Sequence, residues 1–365
     1  MKTKHLIRIP ALLSATLLIL LILPSCGRSA AVMTYGGCEI TENEFRFYLA
    51  TYKARFAQTY SDFKDNAAFY RQTLGDSTAE DFLFDTVRHN VSYSLLCDGL
   101  FKQYGLSLPS SVTAAVDDYV DSFLNDYADG NKNALNQALG VYGVNIRLFR
   151  EILLRDERST AVYNYLYGEN GTIGINDDDR QAYLEENYAR VRHIYVNNAY
   201  VYATDASGRP VYEENGQQAR QPLEGEQLEA KNALVAAIDE ALASGEDFDA
   251  VYEAASEDKY YSEGYYLTRT MDFIDGVVRS AFDMEIGEWT KVESDVGVHY
   301  IKRLPLGDKP WADENCADFF PDFDEDVSSA LFTSMLDGLM GEIVFNEDIL
   351  STYSVEASPM NTRFS

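Results

Sequence analysis

Two short stretches of strand-like alternation, Val191–Val196 and Val298–Leu304, each carry one histidine, and they limit what the second half of the chain can become. The chain has four histidines, of which His5 lies in an N-terminal leader and His89 in a helix-patterned stretch; the other two, His193 and His299, occupy these strands. A lone histidine in a helix is usually structural, whereas two on neighbouring strands can meet. The residues leading up to His299, Ala254–Arg303, read in tight order as a turn, a short helix ending at Phe282, a Gly287 turn and a strand.

Around this pair the apolar period changes along the chain. Thr34–Ile40 reads as a short strand and turn bending at Gly36-Gly37, and Thr41-Glu42-Asn43-Glu44 is a capping box. Phe45, Tyr48, Leu49, Tyr52 and Phe56 then recur at helical spacing. Further helices are expected after Thr78, from Pro109-Ser110, around Leu135 and Leu139, after Asn145 and after Asn176. No nucleotide-binding loop, H-E-x-x-H or G-x-S-x-G occurs in this half. Beyond the His193 strand, 197–225 is rich in Gly, Asn, Gln and Pro and reads as an exposed hairpin or loop. Helices over 227–244 and 248–255, a strand over 265–268, a helix over 275–282 and strands over 290–293 and 298–304 follow. That order, β-α-α-β-α-β-β, predicts a small sheet covered by helices, an α+β arrangement. After an acidic, aromatic stretch, Val327, Leu331, Met335 and Leu339 mark a last helix, expected to fold back on the helical first half because a lone helix needs an apolar partner.

The first 25 residues have the parts of an export signal: Lys2, Lys4 and Arg8, an apolar run from Ala11 to Leu23, then Leu23-Pro24-Ser25-Cys26. The cysteine after a Leu-x-small triplet resembles the bacterial lipobox, which implies lipidation at Cys26 and an extracytoplasmic, membrane-tethered protein; an uncleaved anchor gives the same side of the membrane. Cys38, Cys97 and Cys316 have neither disulfide-framework nor metal spacing, so one pair or three thiols are both open, and no metal or cofactor is expected. Net charge is -29, about -32 without the leader, which disfavours nucleic acid and anionic lipid as partners. It suits solubility and cationic, unfolded clients, and equally a generally acidic proteome.

Residues 190–305 resemble a parvulin-type peptidyl-prolyl isomerase domain. The resemblance is carried by His193-Ile194-Tyr195-Val196, Gly245-Glu246-Asp247-Phe248, Ser256-Glu257-Asp258, Gly264-Tyr265-Tyr266-Leu267, Met271, Ala281-Phe282, Gly287-Glu288 and Gly297-Val298-His299-Tyr300-Ile301, in order and near family spacing. With the lipobox and the helical flanks, the whole chain is similar to PrsA-type extracytoplasmic foldases, relatives of SurA. The implied organisation is a signal peptide over 1–25, an all-helical chaperone lobe over 26–189, an inserted parvulin-like domain over 190–305, and an acidic linker and helix over 306–365 packing on the lobe.

By this resemblance His193, Asp258 and His299 are the catalytic polar set, and Leu267, Met271, Phe273 and Phe282 line a slot for the proline ring. Phe273 substitutes for the family aromatic whose place is near Val277. The G-G-D-L-G turn is Gly264-Tyr265-Tyr266-Leu267-Thr268, and an often hydroxylic position before Gly297 is Val296. The loop after the first strand is long and carries no clustered arginines, against phospho-dependent recognition. The implied activity is cis/trans isomerisation of X-Pro bonds in unfolded or newly exported polypeptides, and the resemblance allows a homodimer. The alternatives are a non-catalytic holdase with a degenerate parvulin domain, for which the 26 tyrosines and 19 phenylalanines offer apolar contact, and a solute-binding lipoprotein, for which two alternating α/β lobes are missing.

Overall fold

The computed structural model describes residues 29–261 and 263–364; Cys26 and the leader lie outside them. The chain divides into two compact units, one made of the residues up to Arg158 together with Glu342–Ser365, the other of Ser159–Gly341. The division falls inside the Ile146–Tyr167 helix.

In the first unit Ala31–Tyr35 turns at Gly36-Gly37 and pairs antiparallel with Cys38–Thr41. Thr41 then caps Glu42–Thr59: its side chain accepts from the Glu44 amide while the Glu44 carboxylate accepts from the Thr41 amide at 2.8 Å. Glu44 is buried, and its second oxygen meets Arg155 at 2.9 Å; Arg155 also pairs with Asp98 at 3.2 Å, which in turn holds Arg158. One capping residue thus ties a helix start to two other helices, Ala79–Gln103 and Ile146–Tyr167. Ala79–Gln103 passes close beneath the first strand because Gly99 has no side chain: a Cβ there would lie 2.4 Å from the Tyr35 ring.

The expectation of an all-helical lobe is corrected here. The unit contains a three-stranded sheet, whose third strand, Val344–Phe345, pairs antiparallel with Ala31–Tyr35. The tail beyond it is secured by Lys53, an ammonium buried to 1 % exposure that donates to the carbonyls of Glu356 at 3.0 Å and Ser358 at 2.7 Å and pairs with Asp65 at 2.8 Å.

The second unit is built on a four-stranded antiparallel sheet, in the order Tyr265–Thr268, Tyr188–Val196, Gly297–Leu304, Trp289–Ser294. Alternation sends Ile194, Val196, Val298 and Tyr300 to one face, under Gly225–Ala243 and Phe248–Ala255, through Ile238, Leu242, Phe248, Val251 and Tyr252. Ala189, Val191, Leu267 and Ile301 take the other face, under Val277 and Ala281 of the Asp275–Asp283 helix. The sequence-derived order of elements is the observed one. The 197–225 stretch is an exposed hairpin, with Tyr200–Tyr202 paired to Arg220–Pro222.

This unit is larger than 190–305. The Asp177–Asn187 helix runs straight into the Tyr188–Val196 strand, and Phe323–Leu339 packs Phe323, Val327 and Leu331 against Leu184 and Tyr188. Phe332 of the same helix meets the Tyr163 ring edge-on at 5.4 Å. The final helix therefore finds its apolar partners at 163–188, and the segment that returns to the first unit is the tail after it. The three cysteines among the described residues are thiols, with Cys97 and Cys316 buried. No helix of the described residues is long and apolar enough to cross a membrane.

Replacing Lys53 with Met keeps the apolar stem but removes the donor to two tail carbonyls and the partner of Asp65, a loss of about 2 kcal/mol. We expect a lower urea midpoint and earlier proteolytic release of the tail beyond Leu350 than in wild type. Unchanged values for both would contradict the role given to this ammonium.

Candidate functional site

Register places the two histidines together. Tyr195 lies opposite His299 and Ile301 opposite His193, so the imidazoles project as a diagonal pair from the face that also carries Ala189 and Val191. Their rings lie nearly parallel, 5.2 Å apart with 11° between planes, and His193 Nε2 is 3.0 Å from His299 Nδ1. Close approach of the strands here requires Gly297: with φ of +146°, its backbone lies where an added Cβ would sit 2.4 Å from the Val196 carbonyl oxygen.

A hydrogen-bonded chain extends from the pair in both directions. On one side Asp258 Oδ2 is 3.1 Å from His193 Nδ1 and accepts the Tyr265 hydroxyl at 2.5 Å, while Oδ1 accepts the Tyr260 amide at 3.2 Å. Asp258 is placed by Ser256 at the end of Phe248–Ala255: Ser256 Oγ accepts the Tyr195 amide at 3.2 Å and donates to the Asp258 carbonyl at 2.8 Å. On the other side Ser294 Oγ lies 2.8 Å from His299 Nε2 and accepts the Val296 amide at 3.2 Å.

One proton assignment satisfies every link. Asp258 is ionised and accepts from His193 Nδ1–H and Tyr265 O–H; His193 Nε2 accepts from His299 Nδ1–H; His299 Nε2 accepts from Ser294 O–H. Electrostatics agree with it. Burial pushes Asp258 up, but hydrogen bonds from His193, Tyr265 and the Tyr260 amide outweigh it and hold the carboxyl at about 2. Burial, then the neighbouring His193, pull His299 down to about 4, so it is neutral near pH 7. Burial and Asp258 together raise Tyr265 well above the usual phenol range. Neither Asp258 nor His299 is poised to exchange protons at neutral pH. Within the chain Asp258 supplies a fixed negative charge and His299 a neutral dipole.

Exposure is graded along it. The His299 residue is 1 % exposed and the His193 side chain 4 %, whereas the Asp258 side chain is 19 % exposed. Among the predicted residues, Phe273 stands edge-on to His193 at 6.2 Å and 6.0 Å from the Tyr265 ring. Met271 and Phe282 line a cavity of about 260 Å³ with Arg269, Asp275, Val278 and Arg279. Leu267 is fully buried in the sheet core and does not line this cavity, a correction to its expected place in the lining of a slot. The structure thus gathers His193, Asp258, His299 and Phe273 at one place and Met271 with Phe282 at one cavity. Among the described residues, no three or more His, Cys, Asp or Glu side chains are grouped to hold a metal ion.

Tyr265, Ser294 and Tyr195, whose ring stacks on His299 at 5.1 Å, are site residues that sequence reasoning missed. Tyr195 and Tyr265 share the strand parity of His193 and Leu267, which was a usable signal. Ser294 supplies the hydroxyl that Val296 lacks, from the strand end opposite Gly297.

No protein-family model matches the chain, and no curated protein does either. Among solved structures, PrsA from Bacillus subtilis is similar at 14% identity over 79% of this chain and 93% of that one, with a TM-score of 0.23. The peptidylprolyl isomerase PrsA from Bacillus cereus aligns at 16% identity over 88% and 92%, TM-score 0.26. A structure from a study of two SurA-like chaperones of Campylobacter jejuni aligns at 10% identity over 87% and 98%, TM-score 0.24. Likeness at this level sets neither the fold nor the activity of this chain.

His299 titrates in the unfolded chain near 6.5 and in the folded one at about 4. A folded pKa below the unfolded one contributes stability that is complete above 6.5 and lost as pH falls toward 4. Asp258 adds a second loss only lower, between about 3.8 and about 2. Thermal melts of His299→Asn should therefore vary less between pH 6.5 and 4.5 than those of wild type. Parallel pH profiles would rule out a neutral, buried His299.

Proposed function

We propose that this protein is a folding helper acting outside the cytoplasm, whose sheet-bearing unit accelerates cis/trans isomerisation of X-Pro bonds. The single observation that carries the reading is the Tyr265–Asp258–His193–His299–Ser294 chain, whose three central members are the polar set that the parvulin-like motifs single out. The reaction needs no nucleophile, metal or cofactor. Its barrier of about 18–20 kcal/mol is the lost conjugation of the amide, so a site works by favouring the twisted bond over both planar forms.

The groups at hand divide that work. Asp258 is the reactive-face group, because it is more exposed than either histidine. Its fixed charge disfavours a planar amide carbonyl turned toward it and favours an orientation in which conjugation is already broken. His193 and His299 are positioning residues: buried and hydrogen-bonded to one another, they hold the carboxylate in one direction without reorganising as the bond turns. Phe273 and Met271 supply apolar surface for the proline ring.

The test is a protease-free isomerisation assay on the full chain with short X-Pro peptides. We expect acceleration over the uncatalysed rate, reduced by at least about tenfold in Asp258→Ala and rescued in part by Asp258→Glu. A wild-type rate equal to the uncatalysed control would sink the catalytic reading. The holdase reading has its own support in the exposed aromatic side chains of Tyr119, Tyr127, Tyr202, Tyr212 and Tyr260. Suppression of client aggregation that survives Asp258→Ala would belong to that second activity.

The address follows from the leader. A chain acylated at Cys26 partitions to membranes through buried methylenes, each contributing about 0.8 kcal/mol. Cys26→Ser should move the protein from the membrane to the soluble fraction in its host. Membrane retention of that variant would speak for an uncleaved anchor.

A further inference from the structure

The cavity beside Phe282 has a character unlike the rest of this acidic chain. Its walls are the apolar side chains of Met271, Val278 and Phe282 and the guanidinium groups of Arg269 and Arg279. The Arg269 guanidinium carbon lies over the Phe282 ring, 4.1 Å from its centre, and that of Arg303 lies 6.0 Å from the same ring centre. Stacking on a ring leaves the N–H edge of a guanidinium free, and that edge matches a planar carboxylate.

Eight arginines elsewhere in the protein meet acids: Arg88, Arg150, Arg155, Arg158, Arg180, Arg190, Arg192 and Arg209 make ion pairs. Acids outnumber bases 59 to 30, so internal partners are abundant. Yet Arg269, Arg279 and Arg303 make no ion pair with any described residue, and the buried Nη1 of Arg303 has no hydrogen-bond partner there. Burial also pulls the Arg303 guanidinium below its usual range, as expected of a cation without a counter-charge. Asp275, the acid lining the cavity, pairs with none of the three and leaves a net positive rim. The loop after the first strand carries no clustered arginines; these three come instead from the end of the Tyr265–Thr268 strand, the Asp275–Asp283 helix and the Gly297–Leu304 strand.

We infer that this cavity is an anion subsite that selects client segments carrying a glutamate or aspartate next to the proline. The inference rests on the proposed isomerase reading, since Met271 and Phe282 are walls of the slot in that reading. The carboxylate lies between Arg269 and Arg279, its methylenes against Phe282, and the proline occupies the adjoining apolar surface. In a protein that repels acidic chains by its overall charge, such a subsite converts a general repulsion into a local choice.

The experiment is equilibrium binding by fluorescence anisotropy, on the full chain, of end-blocked peptides with Glu immediately before or after proline, against their Gln counterparts. We expect a Glu peptide to bind roughly fivefold tighter at low salt, with the advantage fading at high salt. Arg269→Gln and Arg279→Gln, both at exposed positions, should each lower the preference, and together abolish it, with circular dichroism unchanged. Equal binding of Glu and Gln peptides, no binding of either, or a preference untouched by both substitutions overturns the subsite. A Glu peptide bound with the expected preference but isomerised only at the uncatalysed rate upholds the subsite and removes the catalytic reading instead.

Discussion

Antiparallel pairing of Tyr188–Val196 with Gly297–Leu304 is the constraint on which the second unit depends. Seven residue pairs, from Val196 with Val298 to Arg190 with Leu304, fix a register in which a slip of one residue would turn every side chain over. In the observed register the apolar residues of one face meet Ile238, Leu242 and Val251, while the histidines share the other face with Val191 and Ile301. The pairing therefore makes the core and the polar chain in a single act. Gly297 permits the approach, and the flanking strands bring Tyr265 and Ser294 to the two ends.

What results is a buried polar network with every member satisfied, a condition under which such networks rigidify a fold instead of weakening it. Two of its groups are set far from neutrality, Asp258 at about 2 and His299 at about 4. This separates it from general acid–base sites, whose groups are tuned toward working pH. A reaction that moves no proton and breaks no σ-bond suits it better than hydrolysis or group transfer does.

Much of this unit was legible in the sequence because its information is local. Period-2 alternation located the histidine strands, helical spacing located Gly225–Ala243 and Asp275–Asp283, and the order of elements followed. The diagonal meeting of His193 with His299 was legible only through likeness to known motifs, since register is not written in either strand alone. Ser294 escaped because it reaches His299 across a strand turn. In the first unit, Val344–Phe345 escaped for a stronger reason: a two-residue strand has no period, and its partner lies more than 300 residues earlier. Motif position puts Leu267 in the slot, but its full burial puts it in the core.

The tie between Lys53 and the tail has a consequence for the order of events during synthesis. Its two carbonyl partners follow it by 303 and 305 residues, so the first unit is discontinuous in the chain, whereas Ser159–Gly341 is one unbroken stretch. As the polypeptide emerges, the sheet-bearing unit has all its parts while the buried ammonium still lacks its two carbonyl acceptors and holds only Asp65. The first unit must wait, loosely formed, through the emergence of the second. A protein read here as an assistant to emerging chains is thus itself, for the length of one domain, an incompletely folded chain of the kind it would serve.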